Sequence, residues 1–174
     1  MKKHPALFLA LTVLAVLVGS CNLFDKGPEV VFDVETFNRE WALWEAQGIR
    51  NYQYIQVSSN EKYGGSLDTA RVTVRENKDP VIELLDGWMK ENVPPESWNT
   101  YPFSLTISGI YPWMERCFSN AIARGDNVTI LIVYHPQYHY PQDLYYHISS
   151  TESDLDGDGG SITIHISEFM PLTD

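Results

Sequence analysis

Three aspartates recur at alternate positions in one loop of the sequence. Asp154, Asp156 and Asp158 are followed by Gly159, and this spacing matches the first half of a calcium-binding loop. Alternate carboxylates converge on a hard cation, and glycine allows the sharp turn between them. The last ligand of such a loop is normally a bidentate glutamate, whereas the corresponding residue here is His165. The sequence therefore leaves two interpretations open, a weak calcium site and a solvated acidic turn between strands.

Four of the five histidines form two groups that could carry chemistry. His135 and His139 lie in a proline-containing turn, and together with nearby carboxylates they are the candidates for a hydrolytic or metal-dependent site. His147 and His165 become cross-strand neighbours if the last two strands close symmetrically about Asp156. Two imidazoles alone make a poor metal site, so polar residues on a strand face are the simpler interpretation of the second group.

The sequence lacks the familiar catalytic signatures. No G-x-S-x-G, H-E-x-x-H, Walker A or G-x-G-x-x-G pattern occurs. Cys117 lies in an apolar stretch with helical spacing, so we expect a small buried side chain with an unreactive thiol. The chain has 23 acidic and 12 basic residues, a net charge of −11. Because such a chain repels phosphate backbones, nucleic acid is disfavoured as a partner.

The first residues have the order of a bacterial lipoprotein signal. Two lysines precede an apolar run at residues 6–18, which is shorter than the roughly 20 residues that span a membrane. Val-Gly-Ser-Cys at residues 18–21 resembles the lipobox, in which the cysteine receives the lipid and becomes the first mature residue. We therefore expect a signal peptide over residues 1–20 and a lipid anchor at Cys21.

The residue after the cysteine and the remaining length predict location and domain organisation. Asn22, rather than aspartate, follows Cys21, and in the enterobacterial sorting rule this implies delivery to the outer membrane. We expect residues 21–32 to form a tether and residues 33–174 to form a single domain, which is long enough for a sizeable core.

The hydrophobic pattern predicts an α+β domain. Its expected order is α-β-β-β-α-β-β-β, with two helices packed on one face of a mainly antiparallel sheet. The run at residues 127–134 is the most apolar and is expected to be the central strand. The predicted elements are a helix at 33–47, strands at 51–59, 69–76 and 81–84, a helix at 109–124, and strands at 127–134, 143–149 and 161–169.

Aromatic residues are dense outside the predicted strands and helices. Residues 85–105 have no regular periodicity, and their aromatic side chains either pack over the core or form an exposed binding surface. Together with aromatic residues near the later strands, they are the candidates for a ligand-binding surface: Trp88, Trp98, Tyr134, Tyr138, Tyr140 and Tyr145.

Several segments together resemble an uncharacterised family of bacterial secreted and lipoprotein domains. The segments are W-x-x-x-G-I-x-x-Y-x-Y at residues 44–54, A-x-x-R-G-x-x-V at 121–128, Y-x-P-x-x-x-Y-P at 134–141 and I-S-E-F-x-P-L at 166–172. The resemblance implies an architecture and a location in the cell envelope, and it implies no reaction. We therefore expect a lipid-anchored, non-enzymatic binding or scaffold module with an envelope protein as partner, the alternative being an enzyme that uses His135 and His139.

Overall fold

The computed structural model describes residues 28–60, 65, 67–76, 78–97, 106–149 and 160–173. These residues form seven strands, three α-helices and a 3₁₀ turn at Pro95–Ser97. In chain order the elements are β1 (Val30–Val31), α1 (Val34–Gln47), β2 (Tyr52–Asn60), β3 (Leu67–Val74), β4 (Val81–Asp86), α2 (Trp88–Asn92), α3 (Ile107–Arg124), β5 (Asn127–Tyr134), β6 (Pro141–Ser149) and β7 (Gly160–Pro171).

The strands form one mixed sheet in the order β1-β5-β6-β7-β2-β3-β4. Every pairing is antiparallel except that of β1 with β5, so the predicted α+β class is confirmed. The predicted element order is wrong at two places. Strand β1 comes before the first helix, inside the segment expected to be a tether, and the short helix α2 lies in the region expected to be irregular.

Strand β5 is not the central strand that its apolar sequence predicted. It is second in the sheet, next to the two-residue strand β1, and the middle position belongs to β7. The apolar residues of β5 serve both faces of the sheet. Val128 and Ile130 are buried, whereas Leu131 is 52% exposed and Val133 is 59% exposed. The apolar run therefore places an uncovered patch on one face.

Local sequence signals determine both ends of helix α1. The Asp33 carboxylate accepts a hydrogen bond from the Thr36 N–H over 3.0 Å, which satisfies one of the free donors of the first turn. Gly48 ends the helix in the left-handed conformation, at φ +64°. Phe37 and Trp44 are buried as their spacing predicts.

Helix α3 begins earlier than predicted. Its N-cap is Thr106, so Pro112 lies in the second turn rather than the first. Because proline has no N–H, the Ser108 carbonyl loses its usual partner within the helix. The Ser108 hydroxyl accepts a hydrogen bond from Trp44 Nε1 over 3.0 Å, which joins α1 to α3. Ile122, in the last turn of this helix, is exposed.

Side chains from α1 and α3 share one core with alternate residues of the strands. Trp44 meets Tyr52 edge to face with ring centroids 5.6 Å apart, and Trp113 meets Tyr146 in the same way at 5.7 Å. The intervening residues of the strands lie on the opposite face, which we call the open face. Among the described residues, no helix is both long and apolar enough to cross a membrane.

Candidate functional site

The open face carries a patch of exposed apolar side chains near the β1 edge of the sheet. Leu131 of β5 lies opposite Tyr145 of β6, and Val133 lies opposite Asp143. Val31 of β1 is opposite Thr129, one step further along the same face. Leu131, Val133, Val31 and Tyr145 are all exposed. Scattered exposed apolar residues are ordinary, but neighbours on three adjacent strands form a contiguous patch.

This patch borders a shallow depression of about 580 Å³. That volume lies within the range of ligand clefts, about 300–1,000 Å³. The lining is mostly aliphatic and comes from six strands and the chain after β1: Val31, Phe32, Asp33, Val57, Leu67, Ile130, Leu131, Ile132, Val133, Asp143, Leu144, Tyr145, Thr163, Ile164 and His165. The depression therefore offers an apolar surface with few polar groups.

One polar pair belongs to the depression. His165 Nδ1 is 2.5 Å from Asp143 Oδ1, and the two residues are directly opposite each other on β7 and β6. The predicted pairing of His165 with His147 is therefore wrong, since His147 lies opposite Ser161 and its ring stacks on Tyr145. The register differs by four positions from a symmetrical closure, and an even shift keeps both histidines on the open face.

The contact with Asp143 orients the His165 imidazole. An ionised carboxylate only accepts hydrogen bonds, so in this contact Nδ1 of His165 is the donor. Both side chains are about half exposed. No group of three or more His, Cys, Asp or Glu side chains suited to a metal ion occurs within the part of the chain that the structure describes. The pair supplies a polar contact beside the apolar patch.

His135 organises the turn between β5 and β6. Its Nδ1 accepts hydrogen bonds from the N–H groups of Gln137 and Tyr138, over 3.2 and 3.1 Å. Its ring stacks on Tyr140 with centroids 5.0 Å apart. The backbone N–H of His135 also donates to the Tyr140 carbonyl. These contacts hold the imidazole in place as part of the turn.

His139 joins the same turn to helix α1. Its Nδ1 lies 2.8 Å from Glu40, which also accepts two hydrogen bonds from Arg39. Burial raises the pKa of Glu40, but the hydrogen bonds from His139 and Arg39 outweigh it and leave the pKa below its usual value. His139 has a left-handed backbone, at φ +59°, and its carbonyl accepts a hydrogen bond from the Tyr111 hydroxyl. His139 therefore connects the turn to helix α1 through Glu40, and to helix α3 through Tyr111.

The candidate aromatic residues that the structure describes lie at different places in the fold. Tyr140 is buried at 2% exposure, and burial raises its pKa to about 12, so it is a core residue. Tyr138 is half-buried against Phe169, with ring centroids 4.8 Å apart. Trp88 is exposed on α2, which adjoins β3 and β4, whereas Tyr145 lies at the depression. Of this group, only Tyr145 remains at the candidate site.

The remaining aromatic candidates are placed as follows. Tyr134 is half-buried, and desolvation raises its pKa. Trp98 lies outside the described residues.

Several other predicted site residues also lie outside the described part of the chain. They are Cys21 and the three aspartates of the acidic loop, Asp154, Asp156 and Asp158, so the lipid anchor and the calcium site remain predictions. Cys117 is described and is half-buried, and burial raises the pKa of its thiol.

Sequence reasoning missed the apolar patch, although the sequence contained a signal for it. Strand β5 is apolar at both odd and even positions, including Leu131 and Val133. The hydrophobic pattern predicts only two helices, and both pack on one face of the sheet. Because β5 is apolar on both faces of the sheet and the predicted helices cover only one of them, its apolar side chains on the other face have no helix above them. The Asp143–His165 pair gave no comparable signal, because it depends on the register of the last hairpin.

No protein-family model and no curated protein matches the sequence, and no solved structure matches the fold.

Proposed function

We propose that this chain is a lipid-anchored envelope lipoprotein whose folded domain binds a protein partner through the open face of its sheet. The observation that carries the proposal is the exposed patch of Val31, Leu131, Val133 and Tyr145 around the depression. The resemblance to the uncharacterised family of secreted and lipoprotein domains agrees with this assignment. The anchor belongs to the proposal through the lipobox at residues 18–21.

A complex with a partner that covers the exposed patch would be stabilised by removing apolar surface from water. Full burial of an exposed aliphatic or aromatic side chain is worth about 1.5–3 kcal/mol, and these side chains, which are already about half-buried, would each contribute part of that. Tyr145 also has a hydroxyl group, and tyrosine is common in interfaces because it combines apolar area with a polar end. The rest of the chain is strongly acidic, with a net charge of −11. An apolar patch on such a charged surface favours a specific contact over non-specific association.

The geometry of the open face supports binding better than catalysis. The Asp143–His165 pair is half exposed and lies on the face of an antiparallel sheet. The N–H groups of neighbouring inner strands are engaged in the sheet ladder, so such a face offers no pair of free donors to stabilise an oxyanion. The pair is suited instead to hydrogen-bonding a partner's polar group at the edge of an apolar contact.

Photocrosslinking in the native envelope tests the binding face. Tyr145 is replaced by p-benzoylphenylalanine, and the control chain carries the same group at Val81, which is exposed at the far edge of the sheet. We expect an ultraviolet-dependent adduct from position 145 only, and we expect Leu131→Lys to remove it. Equal adducts from both positions, or an adduct that survives Leu131→Lys, would show that the open face is not the binding surface.

The anchor has its own test. Acyl chains contribute about 0.8 kcal/mol for each buried methylene, so a chain without them should leave the membrane. We expect Cys21→Ser to move the protein from the membrane fraction to the soluble fraction and to abolish its lipidated form in mass spectrometry. A Cys21→Ser chain that still sediments with membranes and keeps its acylated mass would contradict the lipoprotein assignment.

A further inference from the structure

Strand β5 has a partly open edge beside the depression. Strand β1 ends at Val31, which pairs with Thr129, and β6 occupies the other side of β5. Residues 130–134 therefore have no strand beyond the end of β1 on that side, within the described ranges. The Val128 N–H donates to the Glu29 carbonyl, so even-numbered residues of β5 direct their backbone groups to this edge. Ile132 is the first of these beyond the reach of β1.

We propose that this edge binds an extended, basic segment of a protein partner as an added strand, with the segment's alternate apolar side chains in the depression. This inference rests on the proposed function and specifies its partner. Backbone hydrogen bonds give affinity in strand addition, and pockets for every second side chain give specificity. Both parts are present here, because β5 has the partly open edge and its residues Leu131 and Val133 also line the apolar depression.

The dimensions of the sheet fit this arrangement. An added strand lies about 4.8 Å from β5, and every second side chain then falls on the open face beside Leu131 and Val133. Natural proteins protect free edges with lysine, proline or a bulge near the middle of the strand. Residues 130–133 contain neither lysine nor proline, and the only register irregularity of β5 is at its end, between Val133 and Tyr134. The β4 edge differs, because it carries Glu83 and Asp86.

Charge determines the kind of segment. The segments around this edge, residues 28–40 and 127–149, contain five carboxylates and one basic side chain of lysine or arginine, Arg39, which is paired with Glu40. The other carboxylates are Glu29, Asp33, Glu35 and Asp143. Hydrogen bonds from Thr36 lower the pKa of Asp33, so this carboxylate is ionised at neutral pH. A second copy of the chain would bring the same negative charges to the edge, whereas lysines or arginines flanking an apolar segment complement them.

A random peptide library displayed on phage tests the chemistry of the occupant. The bait is the lipidated full chain in detergent, and a Leu131→Lys chain is used for counter-selection. We expect enriched peptides that alternate apolar residues and contain at least two lysines or arginines. Enrichment of acidic peptides, of peptides without alternation, or of none would overturn the proposal.

Hydrogen exchange tests the added strand itself, using one selected peptide and a copy N-methylated at alternate backbone nitrogens. We expect the peptide to slow exchange of the Ile132 amide at least tenfold, and N-methylation to weaken binding at least tenfold. Leu131→Lys should abolish binding, whereas Val81→Lys at the other edge should not change it. Unchanged exchange at Ile132, or equal binding of the N-methylated peptide, would overturn strand addition.

The failure of this inference differs from a failure of the proposed function. A partner that still crosslinks to position 145 and is lost with Leu131→Lys, without protection of Ile132, binds the open face by side chains alone. Loss of the position-145 adduct would instead overturn the proposed function. Sedimentation equilibrium tests whether a second copy of the chain binds there instead. Dimers that dissociate with Leu131→Lys would contradict the proposal of a basic partner and would identify a second copy as the occupant.

Discussion

Asp143 and His165 lie directly opposite each other on β6 and β7, and their side chains are joined between Oδ1 and Nδ1 over 2.5 Å. This contact accompanies the register in which β6 pairs with β7. A hairpin closed symmetrically about Asp156 would instead place His147 opposite His165. The two registers bury the same side chains, because they differ by an even number of residues, but they give every residue a different cross-strand neighbour.

Cysteine pairs distinguish the two registers. In a chain with Cys117→Ala, we expect Asp143→Cys with His165→Cys to form a disulfide under mild oxidation, because directly opposite residues have Cα atoms about 4.5–5.5 Å apart. His147→Cys with His165→Cys should remain reduced, since four positions along a strand separate the sites by about 13 Å. Mass spectrometry of alkylated, non-reduced protein measures both. A bridge in the second pair alone would contradict the observed register.

Elements with local signals could be predicted from the sequence, whereas long-range placement could not. Asp33 and Gly48 bound α1 where expected, because caps depend on neighbouring residues. The register of β6 on β7 has no such local signal, because the hydrophobic pattern is the same for any even shift.

In the candidate site, too, the features that the sequence did not predict depend on long-range placement. The exposure of Leu131 and Val133 depends on which strands and helices cover β5, and apolar sequence alone does not distinguish a central strand from one beside a short edge strand. The pairing of His139 with Glu40 joins residues far apart in the chain. Neither position has a local pattern that would have identified its partner.

Gly87 is placed where any side chain would collide with its neighbours. Its φ is +110°, and an added Cβ would lie 2.4 Å from Asp68 Oδ1 and 2.5 Å from the Leu67 carbonyl oxygen. Backbone strain and this clash together should lower the free energy of unfolding by about 3–4 kcal/mol in Gly87→Ala, measured by urea denaturation.

Gly48→Ala is the matched control for that substitution. Gly48 also has a positive φ, +64°, but an added Cβ would meet no atom of the described residues within 4 Å. We expect a loss of about 1–2 kcal/mol from the left-handed conformation alone. Similar losses at both glycines would show that the contact with Asp68 has no energetic role.

Glu40 gives the stability a specific pH dependence. Its folded-state pKa is depressed, because hydrogen bonds from His139 and Arg39 outweigh the effect of burial. A depressed pKa contributes stability above the unfolded pKa of about 4.3 and loses it as the pH falls through the lower folded pKa. We expect Glu40→Gln to lower the free energy of unfolding by about 1–3 kcal/mol at pH 7. This difference from the unmodified chain should shrink below about pH 4.

Glu45→Gln on the same helix is the control, since Glu45 is exposed. It should change the free energy of unfolding by less than about 0.5 kcal/mol across the same range of pH. Urea denaturation between pH 3 and pH 8 measures both variants. A Glu40→Gln difference that stays constant down to pH 3 would show that the ionised carboxylate does not stabilise the fold through this contact.

Gln56 is the clearest position at which the fold should gain stability. Its side chain is fully buried on the helix side of β2, between Ala70 and Ile166 on the neighbouring strands, and neither its amide nitrogen nor its amide oxygen has a hydrogen-bond partner among the described residues. An unpaired buried amide costs about 1–3 kcal/mol in lost hydration. Methionine has a similar length and adapts to irregular packing. We therefore expect Gln56→Met to raise the free energy of unfolding by about 1–2 kcal/mol.

Gln53→Met on the same strand is the control and should have the opposite effect. Gln53 Nε2 donates a hydrogen bond to Thr73 Oγ1 over 2.9 Å, and the substitution removes that bond. We expect Gln53→Met to lower stability by about 0.5–1.5 kcal/mol. The midpoint of urea denaturation measures both variants, provided that the slope of the unfolding free energy against urea concentration is unchanged. A Gln56→Met chain that is less stable than the unmodified chain would mean that the amide does form hydrogen bonds in solution.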